Sequence, residues 1–255
     1  DYVTLVADEG PEKTIIEGVL SEGTEAVRGI QMLDHCVTRG FTVRNCSTWK
    51  NGEDDGWLYG GGIRAGTAVD CVVSNCWSGN RGGSSANATM VRCFIGLGCR
   101  SPRTGYGAGG HAGMYCGCTF LMPTYTSGGT IVNCTYLDCA PLDSSADVRI
   151  NVYNSLIKAN SSGRCNYYNC VICGSVDKKN PDVRYQDGDI DTSVVNANPA
   201  DYAFDPVTYR PLAGSGLIDA GSNETFVAKF PEAYQDLDWA GGQRIYNGTI
   251  DIGAG

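Results

Sequence analysis

Apolar residues recur along this chain in short alternating runs. The segments "GFTVRNC" (40–46), "DCVVSNC" (70–76), "RCFIGLGC" (92–99), "GCTFL" (117–121), "NCTYLDC" (133–139), "NSLIKAN" (154–160) and "NCVICG" (169–174) share one pattern. They align on Phe41, Cys71, Cys93, Cys118, Cys134, Ser155 and Cys170. Two residues later stand Val43, Val73, Ile95, Phe120, Tyr136, Ile157 and Ile172. Two residues earlier stand Val69, Val91, Cys116, Val132, Tyr153 and Tyr168. A spacing of two predicts a strand whose buried face runs through all three positions. Successive aligned positions are 30, 22, 25, 16, 21 and 15 residues apart. One short strand per irregular repeat is the signature of a solenoid.

The intervening segments narrow the choice of solenoid. "SGNRGGSSANAT" (78–89) and "RSPRTGYGAGGHAG" (100–113) are rich in Gly, Ser and Asn, and they exclude helical crossovers. Gly and Asn supply positive-φ turns at little cost. Glycine, 35 of 255 residues, is about twice its ordinary frequency. Strands joined by such turns stack as parallel coils. The expected fold is therefore all-β: a single-stranded right-handed parallel β-helix.

Several motifs carry a family resemblance. "YGGGIRAG" (59–66) runs into "VDCVVSNC" (69–76), and "GFTVRN" (40–45) opens an earlier coil. The end of the chain reads "YRPLAGSGLIDAGS" (209–222), "DLDWAGGQR" (236–244) and "DIGAG" (251–255). From Gly29 to Gly255 the chain resembles secreted right-handed parallel β-helix repeat proteins, the pectate-lyase-like solenoids. The resemblance implies coils over 1–175 and an irregular C-terminal capping segment over 176–255, folded back over the last coil. It also implies an extracytoplasmic bacterial protein, secreted or at the cell surface. The opening "DYVTLVADEG" is acidic and not a signal peptide. Lyases, hydrolases and adhesins share this architecture, so fold alone does not select an activity.

Charge and cysteine content exclude some functions. A net charge of −9 opposes a broad grip on nucleic acid or polyanionic sugar, while leaving room for a local basic groove. No apolar run has the length of a membrane span. The thirteen cysteines recur about once per coil, spread along the axis. Zinc needs four ligands converging on one point, so no metal centre is expected. Stacked side chains also point the same way, which suits disulfide geometry poorly. Thirteen is odd, and free Cys packs as a small apolar residue. The reading is a ladder of buried thiols.

Candidate chemistry lies in the loops. "GEDDG" (52–56), "GIRAG" (62–66) and "GGHAG" (109–113) supply Asp54, Asp55, Arg64 and His111 as acid, base or electrostatic groups. They resemble polygalacturonase elements, but the order is inverted, the Asn-Thr-Asp element is missing and Arg64 lacks a following Lys. A lyase would need a Lys or Arg base, usually beside a calcium cage. Arg64 and Arg81 are available, but "DGDIDT" (187–192) lacks the Gly and distal Glu of a calcium loop, so no cofactor is indicated. Aromatic residues flank the same segments. Trp57, Tyr59, Trp77 and Tyr106, with Arg64, Arg81 and Arg103, form the expected carbohydrate-binding face. The partner expected there is a polysaccharide or cell-surface glycan, and the alternatives are a lyase or hydrolase on that face, or an adhesive spacer without a catalytic site. In the tail, Asp219, Asp236, Asp238, Arg244 and Asp251 are read as structural, with Arg244 pinning the cap through a carboxylate.

Overall fold

The computed structural model describes residues 2–49, 58–101, 108–121, 126–139, 150–162, 165–177, 190–238, 242–245 and 247–254. The described residues form a parallel β-helix of nine coils. One sheet joins a strand from every coil in sequence order, from Thr4–Val6 through Thr67–Val69 and Gly110–Cys116 to Ile190–Asp191. A second nine-stranded sheet runs from Ile15–Glu17 through Val72–Ser74 and Thr119–Leu121 to Val194–Val195. Short strands at Ile30–Gln31, Ile63–Arg64 and Ser85–Ala86 open a third face, continued by the first halves of Gly110–Cys116 and Thr126–Val132. Every strand pairing within these sheets is parallel and in register, coil on coil.

Inward rows fill the core. Ala68, Met90, Tyr115, Ile131, Val152 and Tyr167 stack beneath one sheet. Val43, Val73, Ile95, Phe120, Tyr136, Ile157 and Ile172 stack beneath the other. Phe120 and Tyr136 lie face to face at 4.3 Å.

The structure corrects the expected single strand per coil. Between the two sheets the chain turns a corner on one left-handed residue in each coil from the second to the ninth: Gly40, Asp70, Arg92, Gly117, Asn133, Asn154, Asn169 and Thr192. That turn resets the alternation. Cys71 and Val73 point into the core, but Val69 belongs to a different, outer cluster with Val91, Cys116 and Val132. A period-two reading carried across such a corner puts these four side chains on the wrong side.

The corner also explains the aligned Cys/Ser position. The Cys93 N–H points at Cys118 Sγ (3.4 Å), and the Cys118 N–H at Cys134 Sγ (3.4 Å). The Cys134 N–H donates to Ser155 Oγ (3.0 Å), and the Cys170 N–H to Ser193 Oγ (3.0 Å). Each side chain in turn donates to a carbonyl: Cys118 Sγ to Met90 at 3.3 Å and Ser155 Oγ to Tyr153 at 2.7 Å. The position therefore needs a short group that both accepts and donates. A second ladder, Cys46, Cys76 and Cys99, lies at the next corner. All thirteen cysteines are free thiols. Burial, then the next thiol, pushes Cys93 and Cys118 upward, and burial pushes Cys170 up to about 12.

Two further expectations change at the C-terminus. The sheets continue past residue 175, because Ile190–Asp191 and Val194–Val195 add a ninth coil. Beyond it the chain forms a strap along one corner of the solenoid instead of a lid over its end. Helix α1 (Asn223–Lys229), capped by the Ser222 side chain, lays Phe226 and Phe230 on the outer row Val69, Val91, Cys116 and Val132. Leu217 and Ile252 cover Leu156 and Val171 on the adjoining sheet. The corner residues hold the strap. Asn133 Nδ2 donates to Asp251 O (2.8 Å), while Asn154 exchanges two bonds with the Ser222 backbone (2.9 and 3.0 Å). An apolar outer row on several neighbouring coils needs a cover running along the axis, which an end cap does not supply.

Candidate functional site

The third face gathers four of the sequence-selected residues, Tyr59, Arg64, Arg81 and His111. Its registered pairs place Gln31, Arg64, Ala86, His111 and Ser127 in one row across five coils. The alternate positions, Ile63, Ser85 and Thr126, are buried, and two of them bond core tyrosines: Ser85 Oγ to Tyr115 Oη (3.1 Å) and Thr126 Oγ1 to Tyr136 Oη (3.0 Å). The row Arg64–His111 therefore faces away from the core. Gly110 is required beside it, because a Cβ there would overlap the Tyr115 hydroxyl.

Loops preceding these strands bring in the remaining groups. The Tyr59 ring lies 5.4 Å from the His111 ring, and the Arg81 guanidinium 6.0 Å from the Tyr59 ring. The Tyr59 loop is seated by Arg28, whose Nε donates to Gly60 O (2.9 Å) and Nη2 to Tyr59 O (3.1 Å). Gly61 in the "YGGGI" turn meets the Trp77 carbonyl so closely that any side chain would collide with it. His111 Nδ1 is 2.9 Å from Ser127 Oγ.

Charge on this face is positive and confined. Burial, followed by Arg64, lowers Arg28 to about 10. Burial, followed by Arg81, lowers His111 to about 4, so its imidazole is neutral at physiological pH. A neutral imidazole with Nδ1 held by a serine is suited to polar recognition and to base chemistry.

The other sequence-selected residues divide into two groups. Trp77 is buried and stacks on Trp49 at 5.9 Å, bracing the corner, while the more exposed ring there is Trp49. Asp54, Asp55, Trp57, Arg103 and Tyr106 lie outside the described residues. Sequence reasoning missed Arg28 and Ser127. The signal for Arg28 was available, since "RGIQ" (28–31) repeats the "GGIR" turn (61–64) one coil earlier. Ser127 belongs to a face whose strands are often two residues long, too short for periodicity to register.

In the strap, a cavity of about 460 Å³ is lined by Arg210, Asp219, Asp238, Arg244 and Asp251, among others. Here too an expectation changes. Arg210, not Arg244, makes the two-pronged ion pair with Asp238, at 2.8 and 3.1 Å. Burial opposes ionisation of Asp238, but Arg210 holds its carboxyl below the usual range. Arg244 is buried over the Phe230 ring (4.7 Å), leaves no room for a side chain at Gly117, and its Nη2 has no hydrogen-bond partner. Burial lowers it to about 10.

Among the described residues no cluster of His, Cys, Asp and Glu forms a metal cage. None of their helices is long and apolar enough to cross a membrane. Compared with models of known protein families and with curated proteins, the chain matches none.

Proposed function

We propose that the chain binds complex carbohydrate along its third face, with Tyr59, Arg64, Arg81 and His111 as contacts. One observation carries this reading: Tyr59, Arg81 and His111 converge beside an outward row in which Arg64 and His111 are part-exposed and Ala86, between them, is covered. Coils advance about 4.8 Å each, close to the advance per residue of an extended pyranose chain. A glycan lying along the axis then meets Arg64 and His111 two coils apart, with Ala86 covered between them. An aromatic ring flanked by guanidinium and imidazole supplies an apolar sugar face with adjacent hydrogen-bond donors. The motif resemblance to secreted β-helix proteins supports the same reading and a location outside the cytoplasm.

A second reading, a lyase or hydrolase on this face, is favoured by His111 alone, because an imidazole kept neutral can accept a proton at neutral pH. A glycan array followed by titration calorimetry tests the first reading. Tyr59→Ala and His111→Ala should each weaken binding about tenfold or more, equivalent to roughly 1.4 kcal/mol. Trp49→Ala, on a different corner, should leave it unchanged. Turnover of uronic-acid or neutral polysaccharides, followed by unsaturated-product absorbance and reducing ends, would replace binding with catalysis. Silence in both assays would leave a spacer.

A further inference from the structure

One asparagine of the strap is placed unlike its neighbours. Asn133, Asn154 and Asn223 spend their side-chain amides on backbone groups of the strap, and each is followed by a residue with a Cβ: Cys134, Ser155 and Glu224. Asn247 is followed by Gly248. Both are exposed, and among the described residues neither the Asn247 amide nor the Gly248 N–H has a hydrogen-bond partner. Gly248 sits at φ +90°, and apart from its chain neighbours no atom lies within 4 Å of where a Cβ would stand. A glycine nitrogen with open space beside it can approach the preceding side chain, because no Cβ blocks the path.

The same two residues lie at a joint of the strap. Ile245 and Ile250 pair across the span that holds them. Gly248 O accepts from Asn223 Nδ2 (2.6 Å), and Asn223 Oδ1 accepts the Ile250 N–H (2.7 Å). Ile250 is buried with Phe226 and Phe230 against the outer row. Gly248 is therefore a stitch between this hairpin and the first residue of α1. Asn247 also lines the strap cavity beside Asp219 and Asp251, whose Oδ1 accepts the Asp219 N–H (2.8 Å).

We propose that Asn247 is a self-modifying site whose deamidation loosens the strap from α1. The Gly248 nitrogen bonds to Asn247 Cγ and gives up its proton, the Cγ–Nδ2 bond breaks, and ammonia leaves. Water then opens the cyclic imide at one of its two carbonyls, leaving aspartate or isoaspartate. Water is the one co-reactant. Isoaspartate adds a methylene to the backbone next to the Gly248–Asn223 stitch. Either product adds a carboxylate to a cavity wall that already carries Asp219 and Asp251, and like charges repel. Burial, followed by Asp219, already pushes the Asp251 carboxyl upward. The site lies apart from the third face and stands whether or not that face binds glycan.

The test incubates the 255-residue protein at mildly alkaline pH beside a free peptide of residues 245–255. Tryptic cleavage after Arg244 releases the same segment from the protein and keeps it apart from Asn51–Gly52, which lies outside the described residues. Exposed spans open at almost no cost, so the folded segment should deamidate within about threefold of the free peptide's rate. It should gain about 1 Da and accept a methyl group from a protein isoaspartate methyltransferase. Amide exchange at Ile250 should then quicken and the melting temperature fall, while exchange across Val72–Ser74 stays unchanged. Asn247→Ser should abolish the mass gain and hold both readouts at their starting values through the same incubation. A folded segment that keeps its amide while the free peptide loses it would overturn the proposal. So would isoaspartate formed with Ile250 exchange unaltered, or Asn247→Ser losing protection as fast as the wild type.

Discussion

Cys118 makes two hydrogen bonds that a hydrocarbon side chain cannot replace: it accepts the Cys93 N–H and donates to the Met90 carbonyl. Ser155 and Ser193 fill equivalent positions with oxygen. Cys118→Ser should therefore unfold close to the wild type. Cys118→Ala strands a buried N–H and should cost about 1–3 kcal/mol in denaturant titration. Equal losses in the two variants would dismiss the relay and leave only packing. His111 yields a pH prediction. Its usual value of 6.5 falls to about 4 in the fold, because of burial and then Arg81. Between those values the unfolded chain holds more protons than the native one. The stabilising contribution of the neutral ring is thus fully present above about pH 6.5 and lost as pH falls toward 4. Denaturation midpoints at a series of pH values should fall across that window, and His111→Gln should flatten that part of the curve.

At the scale of elements, the strap rests on a buried arginine that is only partly hydrogen-bonded. Arg244 is buried against Phe230 and Gly117 with one nitrogen unpaired. Arg244→Ala should lower the melting temperature, because truncating a large buried side chain typically costs about 2–5 kcal/mol. Arg244→Met keeps the volume and removes the buried charge, so it should match or exceed the wild type. If Met is as damaging as Ala, the guanidinium has a partner role that packing does not capture. This strap was only half legible in the sequence. Its motifs were visible, but its path was not, because the outer row Val69, Val91, Cys116 and Val132 had been assigned to the core. Alternation is a local rule, and a single left-handed residue between two three-residue strands resets it. The aligned Asp70, Arg92, Gly117, Asn133, Asn154 and Asn169 marked that corner, but two of the six, Arg92 and Gly117, are neither Asn nor Asp and mask the pattern.

For the whole molecule, stacking was legible because core packing recurs coil after coil and leaves a repeat in the chain. The candidate face was less so. Its residues come from loops and two-residue strands, where nothing repeats except geometry, and five of the selected residues lie outside the described regions. Tyr59, Arg64, Arg81 and His111 were found through residue type, whereas Arg28 and Ser127 emerge only once the coils are in register.

The strap has one more consequence, and it concerns force. Tyr234 reaches Arg92, Arg244 reaches Gly117, Asp251 reaches Asn133 and Ser222 reaches Asn154, so one segment is fastened to the fourth through seventh coils in turn. On the first three coils its grip thins to apolar packing at Val37 and Val69. Pulled from its N-terminus, the protein should pay out those coils in small, low-force steps. It should then resist until the strapped block gives way in one larger event. Optical-tweezer traces of the Asn154→Gly variant should show that last event at lower force. A uniform staircase in the wild type would mean that the strap carries no tension.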